Sequence, residues 1–206
     1  MKTFVITIGR QPGSGGKEIA ELLSKRMNIS VYDKTLLEEA ARESGIDTTV
    51  FENADEQENE SFLGGIFSIH GAITDYFHSD SIMDKDKLFE LQSETIQSLA
   101  DRESCVIVGR CAEYVLREHP AKLSIFITAD TEDRINRIMK CEGVEREKAI
   151  EYIEKSDKRR RSYHDYYATN HWGDASSYDL CINSSRMGLE GTTEFILNFI
   201  KNHFAQ

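Results

Sequence analysis

The apolar run FVITI leads directly into GRQPGSGGKEIAELL, residues 9–23. Three glycines, Gly13, Gly15 and Gly16, enclose Ser14, and Lys17 follows at the start of a helical pattern. A glycine-rich turn between a strand and a helix sets backbone N–H groups around an anion, at the positive end of the helix. The chemistry offered is the gripping of a phosphate. The pattern departs from G-x-x-x-x-G-K-[ST] in two places. With Gly16-Lys17 as its G-K pair, Gln11 stands at the first glycine and Glu18 at the hydroxyl. Matched to the A-G-S-G-K-[ST] form, Gly16 takes the lysine position and Lys17 the hydroxyl position. One residue at a helix start turns a side chain by about 100°. The cation of the loop is therefore Lys17, if the loop holds one extra residue, or Arg10 in its place. On either alignment the usual hydroxyl ligand of Mg²⁺ is missing.

A second set of charges stands far from the loop in sequence. Lys155, Lys158, Arg159, Arg160 and Arg161 form a basic cluster in an otherwise acidic chain. Phosphoryl transfer spreads charge over the equatorial oxygens, and arginines brought over the site stabilise it. Arg110 ends an apolar strand at its carboxyl end, where open α/β sheets bind ligands. Asp33 follows a short strand; it orients an acceptor hydroxyl, helps hold Mg²⁺ through water, or caps the next helix. Asp157 bonds a base or sugar, or pairs with a neighbouring lysine. Tyr163, Tyr166 and Tyr167 have the spacing of helical core packing, and His70, His164 and His171 lack metal-ligand spacing.

The elements that must carry these residues read as strands at 3–8, 29–32, 104–109, 123–128 and 178–183. Helical patterns lie at 16–27, 34–44, 86–101, 111–118, 131–141, 145–167 and 189–203. This alternation predicts a parallel sheet covered on both faces. Residues 46–85 break the rhythm: 52–60 is acidic and 61–77 is apolar with three glycines, which reads as an inserted helical subdomain. Whether 61–77 covers a ligand or meets a second copy stays open.

The chain has 206 residues and a net charge of −11, so a nucleic acid polymer is not an expected partner; such surfaces are basic. A small nucleotide held by local cations remains compatible. The four cysteines lack paired spacing, and Cys105, Cys111 and Cys181 are expected as buried free thiols. No apolar run is long enough to span a bilayer, and the N-terminus is a strand pattern, as in a cytoplasmic protein with no membrane partner.

Six blocks in order carry a resemblance over nearly the whole chain: ITIGRQPGSGGKEIAELLSKRM, YDKTLLEEAA, CVIVGRCAEYVL, LSIFITADTEDRINRI, DKRRRSYHDYY and WGDASSYDLCINSS. Together they resemble the cytidylate kinase-like family, a divergent branch of the P-loop nucleoside monophosphate kinases. The resemblance implies a single α/β domain over 1–206 with a three-layer P-loop kinase fold and a five-stranded parallel sheet. Within it, 46–85 would be the helical acceptor-binding insertion and about 140–174 the lid. It implies ATP as phosphoryl donor, Mg²⁺, and a small acceptor such as a pyrimidine nucleoside monophosphate, in a monomer or homodimer. Gly13, Ser14, Gly15, Gly16 and Lys17 would bind nucleotide phosphates, and Lys17, Arg160 and Arg10 would be catalytic. Asp33, Arg110 and Asp157 would bind the acceptor, with Arg159, Arg160 and Arg161 in the lid.

The chain also departs from the family pattern. Cys111 replaces the aspartate of G-R-D, Ile153-Glu154 replaces the R-D before D-x-x-R, and DKTLLEE replaces D-S-G-x-x-Y-R. A nucleotide-binding module without transfer, or a kinase of a non-nucleotide metabolite, is the alternative.

Overall fold

A computed structural model describes residues 3–33 and 81–204, without side chains for 81–84. It divides into two compact units, Met1–Lys34 with Gln97–Gln206, and Thr35–Ile96. The expected helix at 34–44, the apolar segment 61–77, and all but the end of the 46–85 insertion lie outside the described residues.

Five parallel strands form one sheet in the order β2-β3-β1-β4-β5. They are β1 Val5–Arg10, β2 Ser30–Tyr32, β3 Cys105–Val108, β4 Lys122–Thr128 and β5 Leu180–Asn183. Each expected strand is present. Among the described residues the α-helices are α1 Gly16–Met27, α2 Ser81–Arg102, α3 Ala112–Val115, α4 Thr131–Glu142, α5 Arg146–Tyr167 and α6 Gly188–Phe204.

The alternation along each strand decides what covers the sheet. Ile6 and Ile8 of β1, Val106 and Val108 of β3, and Leu123, Ile125 and Ile127 of β4 share one face. Against them pack Ile19, Ala20 and Leu23 of α1 and Ile196 and Ile200 of α6. Each fully buried aliphatic side chain here contributes about 1.5–3 kcal/mol. This core fixes α1 beside β1 and so holds the turn that joins them. In register, Gly9 lies beside Phe126 and Arg10 beside Ile127, so the last residue of β1 reaches the carboxyl edge of the sheet.

Helices α4 and α5 form a hairpin with a small core of its own, Ile135, Ile138, Ala149 and Ile153. Gly143, with φ +64°, ends α4 in the left-handed conformation that suits a helix terminus. The expectation for Cys181 needs correction. Cys105 and Cys111 are buried, but Cys181 is exposed, because β5 is the edge strand and only Ile182 of its residues is buried.

Candidate functional site

The glycine-rich turn, residues 11–16, leaves the carboxyl end of β1 and enters α1. Gly13 and Gly15 have φ of +73° and +77°, a region costly for other residues. Gly13 is also crowded: a Cβ there would fall 2.6 Å from the carbonyl oxygen of Arg134. The turn's carbonyls are bound from outside. Arg134 Nε donates to Pro12 O at 2.9 Å, Ser184 Oγ donates to Ser14 O at 2.7 Å, and Arg137 donates to Gly13 O. In a trans peptide the N–H points opposite to the C=O. Anchoring these carbonyls outward therefore turns the N–H groups of Gly13 and Gly15 toward the concave side, beside the unpaired first amides of α1. Ser14 is fully buried, and its Oγ has no hydrogen-bond partner. A buried hydroxyl without a partner is costly, and a phosphate oxygen would satisfy it.

Lys17 is the second residue of α1, and its side chain is 63% exposed. Its Nζ lies 3.0 Å from Asp33 Oδ2, just past β2, and this contact holds the ammonium above its ordinary pKa. The structure thus brings Lys17 and Asp33 together at the mouth of the turn. Asp33 gets there because β2 is anchored: Ser30 Oγ and Tyr32 Oη both donate to Glu103, at 2.8 and 2.7 Å.

Arg10 occupies the inner position. Its Cβ packs against Gly16, where a Cβ would come within 2.6 Å of it. Its guanidinium lies over Gly109, where a Cβ would fall 2.0 Å from Nη1. Burial, then the charges of Arg160 and Arg110, push its pKa down to about 9, with Asp33 a partial offset. Arg160 reaches the same place from α5 and donates from Nη1 to Arg10 O at 2.9 Å. Arg110 arrives from the turn after β3 in the left-handed region, φ +57°, followed by Cys111 at +53°. Three guanidinium groups therefore converge beside the amide-lined turn.

The remaining expected residues are placed differently. Asp157 pairs with Arg134 at 2.7 Å, and its buried Oδ1 has no hydrogen-bond partner. The pair ties α5 to the helix that grips the turn. The three lid arginines diverge: Arg160 points inward, Arg159 is exposed, and Arg161 stands 5.9 Å over the Trp172 ring. Arg161 lines a pocket of about 180 Å³ with Phe126, Thr128, Trp172 and Gln11 at the start of the turn. Of the three tyrosines, Tyr167 touches both others edge-on, and Tyr166 is 63% exposed.

Two groups of residues at the site were not anticipated. Arg134 and Arg137 hold the carbonyls of the turn, and Glu113 meets His164 in a buried contact of 2.6 Å. The signals were present in weak form. Arg134 shares a helix face with Ile138, and Glu113 sits inside the apolar run CAEYVL. A charge on an apolar stripe implies burial with a partner, but not which partner.

Among the described residues, no group of three or more His, Cys, Asp or Glu could hold a metal ion, and no helix is long and apolar enough to cross a membrane.

A model of the cytidylate kinase-like family matches residues 5–186 of this chain. The chain is 27% identical over 203 residues to the cytidylate kinase of Methanocaldococcus jannaschii, covering 97% of this chain and 98% of that one. It is similar to the crystal structure of an uncharacterized protein from Eubacterium ventriosum. That similarity has a TM-score of 0.73 and 29% identity, over 97% of this chain and 99% of that one. A shikimate kinase from Bacteroides thetaiotaomicron, at TM-score 0.55 and 13% identity over 96% and 98% of the two chains, shares the fold.

Proposed function

The chain belongs to the cytidylate kinase-like family, and from that footing we propose that it transfers the γ-phosphoryl group of ATP to a small acceptor. A pyrimidine nucleoside monophosphate such as CMP is the first candidate. The observation that carries the reading is the convergence of Arg10, Arg110 and Arg160 beside an amide-lined turn with an unsatisfied Ser14 hydroxyl. A guanidinium keeps its charge at neutral pH. A buried one facing two others is therefore destabilised until an anion arrives, and a polyphosphate supplies that charge.

Each group has a role in this reading. The turn takes the β-phosphate with the amides of Gly13, Gly15, Gly16 and Lys17, while the Ser14 amide is held by Gln11 O at 3.2 Å and Ser14 offers its hydroxyl. Arg10 stands where the loop cation is needed, and Lys17 serves the outer oxygens once its ammonium turns from Asp33. Arg160 covers the transferring group from α5, and Arg110 faces the acceptor phosphate. Asp33 orients the acceptor hydroxyl or phosphate. Asp157 works through Arg134, which holds the turn; its unpartnered Oδ1 is the atom that would meet an acceptor. Arg159 and Arg161 remain at the lid surface. The chemistry asked of the protein is placement and charge compensation.

Mg²⁺ fits this donor set in one way only. On either alignment of the loop, Glu18 or Lys17 replaces the hydroxyl ligand, so the ion would arrive on the triphosphate and keep several waters, with Asp33 as the nearby carboxylate. It would supply neutralisation of phosphate charge. The segments 46–85 and 140–174 are read as acceptor-binding insertion and lid.

A panel of nucleoside monophosphates, sugars and small hydroxylated cofactors, each with ATP and Mg²⁺, tests the proposal. Phosphorylation of one acceptor class is the expected result. Saturable ATP binding with no turnover on any acceptor would mark a nucleotide-binding module instead, consistent with the missing hydroxyl ligand.

A further inference from the structure

We propose that the buried Glu113–His164 contact is a positioning clamp that sets Arg110 and Arg160 against the same bound anion; the proposal rests on the phosphate-site reading above. His164 follows Arg160 by one helical turn on α5, so the two share a face. Glu113 follows Arg110 by three residues, across the turn that opens α3. The residues in contact are 51 positions apart, and each side chain is only 4% exposed. One short contact therefore joins the two elements that carry the converging arginines.

The backbone shows why a clamp is needed. Gly109, Arg110 and Cys111 are left-handed in succession, and two of them carry a Cβ. Such strain persists only where surrounding contacts over-determine it. The backbone bonds from Ala112 N to Gly109 O and from Val115 N to Cys111 O, at 3.1 and 2.8 Å, secure the turn locally. Glu113 adds the long-range tie. On the other side of the ring, His164 Nδ1 lies 3.2 Å from Asp165 Oδ1, which also accepts from Trp172 N at 2.9 Å. The clamp thus extends to the chain returning toward β5.

The charged surroundings of the ring define when the clamp is ionic. The ring faces Glu113 and Asp165; beyond them, Cys111 and Tyr178 feel the Glu113 charge, Arg110 acts on Cys111, Lys122 donates to the Glu113 carbonyl, and His171 stands 3.6 Å from Asp165. Burial pushes both the Cys111 thiol and the Tyr178 phenol up, so both stay neutral. Burial disfavours the imidazolium, yet the hydrogen bonds and charges of Glu113 and Asp165 outweigh it and raise the His164 pKa. A raised histidine is charged below its ordinary value and loses that charge as pH rises through the folded value.

The test is pyrophosphate binding to the full chain, wild type against His164→Ala and His164→Gln, with thermal unfolding alongside. The His164 contact to Glu113 is made by Nε2, and a glutamine amide nitrogen reaches that position; glutamine keeps a donor for Glu113 but cannot titrate. We expect His164→Ala to weaken binding about tenfold at neutral pH and His164→Gln to restore most of it. The affinity ratio of wild type to His164→Gln should fall as pH rises through the raised His164 pKa and the imidazolium is lost, a comparison that cancels the titration of pyrophosphate itself. An alanine variant that binds as wild type does overturns the clamp. So does a glutamine variant as weak as alanine, or a ratio that stays flat with pH. If alanine fails to fold, the glutamine ratio decides alone. A wild-type protein that does not bind pyrophosphate overturns the phosphate-site reading before any variant is made.

Discussion

Replacing Gly13 by alanine probes the link between the turn and the helix that holds it. Gly13 has φ +73°, and an added Cβ would lie 2.6, 2.9 and 3.0 Å from the O, Cα and C of Arg134. All three are backbone atoms of α4, so no side-chain rotation relieves the overlap. The left-handed conformation costs about 1–2 kcal/mol for a residue with a Cβ, and overpacking against fixed structure adds about 1–3 kcal/mol. The expected loss is about 2–5 kcal/mol. Gly143→Ala is the control: its φ is +64° and nothing lies within 4 Å of the new Cβ, so only the left-handed cost of about 1–2 kcal/mol applies. Both substitutions restrict the unfolded chain alike, and that contribution cancels in the difference. Urea unfolding of the two variants measures the gap. If Gly13→Ala is no more destabilised than Gly143→Ala, the close approach of α4 to the turn is refuted.

Arg10→Met should weaken pyrophosphate binding at least about tenfold. It should also leave unfolding stability unchanged or raise it by about 1 kcal/mol, because a buried charge repelled by Arg110 and Arg160 is removed; calorimetry and urea melts read the two effects separately. Asp157→Asn should lower stability by about 1–3 kcal/mol, since Arg134, whose side chain is 8% exposed, keeps only a neutral partner; chemical denaturation checks it. Glu103→Gln should flatten the acid limb of stability. The hydrogen bonds from Tyr32 and Ser30 hold the Glu103 carboxyl below its ordinary pKa, so its stabilisation is present above that value and is lost as pH falls through the lowered one. Glu103 is partly exposed, so the effect in pH-dependent melts should stay below about 1 kcal/mol.

Much of this architecture can be read from the chain itself, for identifiable reasons. Runs such as VIT and SIFI are β-branched and doubly apolar, which only a covered parallel strand tolerates, so the five strands were legible to within a few residues. The turn was legible as an anion cradle because glycine density, strand and helix coincide. The loop cation was not: one residue of register decides it, and register depends on how α1 starts. The helix begins at Gly16, which leaves Lys17 facing Asp33 and Arg10 inside. The clamp between Glu113 and His164, and the grip of Arg134 on Pro12, join residues 51 and 122 positions apart. Periodicity shows which face a residue takes, not its partner across the fold. Cys181 failed for a related reason, since an apolar strand pattern does not reveal which strand ends at the sheet's edge.

The most direct measurement is a calorimetric titration of ATP with Mg²⁺ into the wild-type protein and an Arg160→Met variant. A polyphosphate site built from the turn and three arginines predicts saturable one-site binding, weakened about tenfold or more in the variant. Binding that never saturates at millimolar ATP, or that is equal in both proteins, would contradict it.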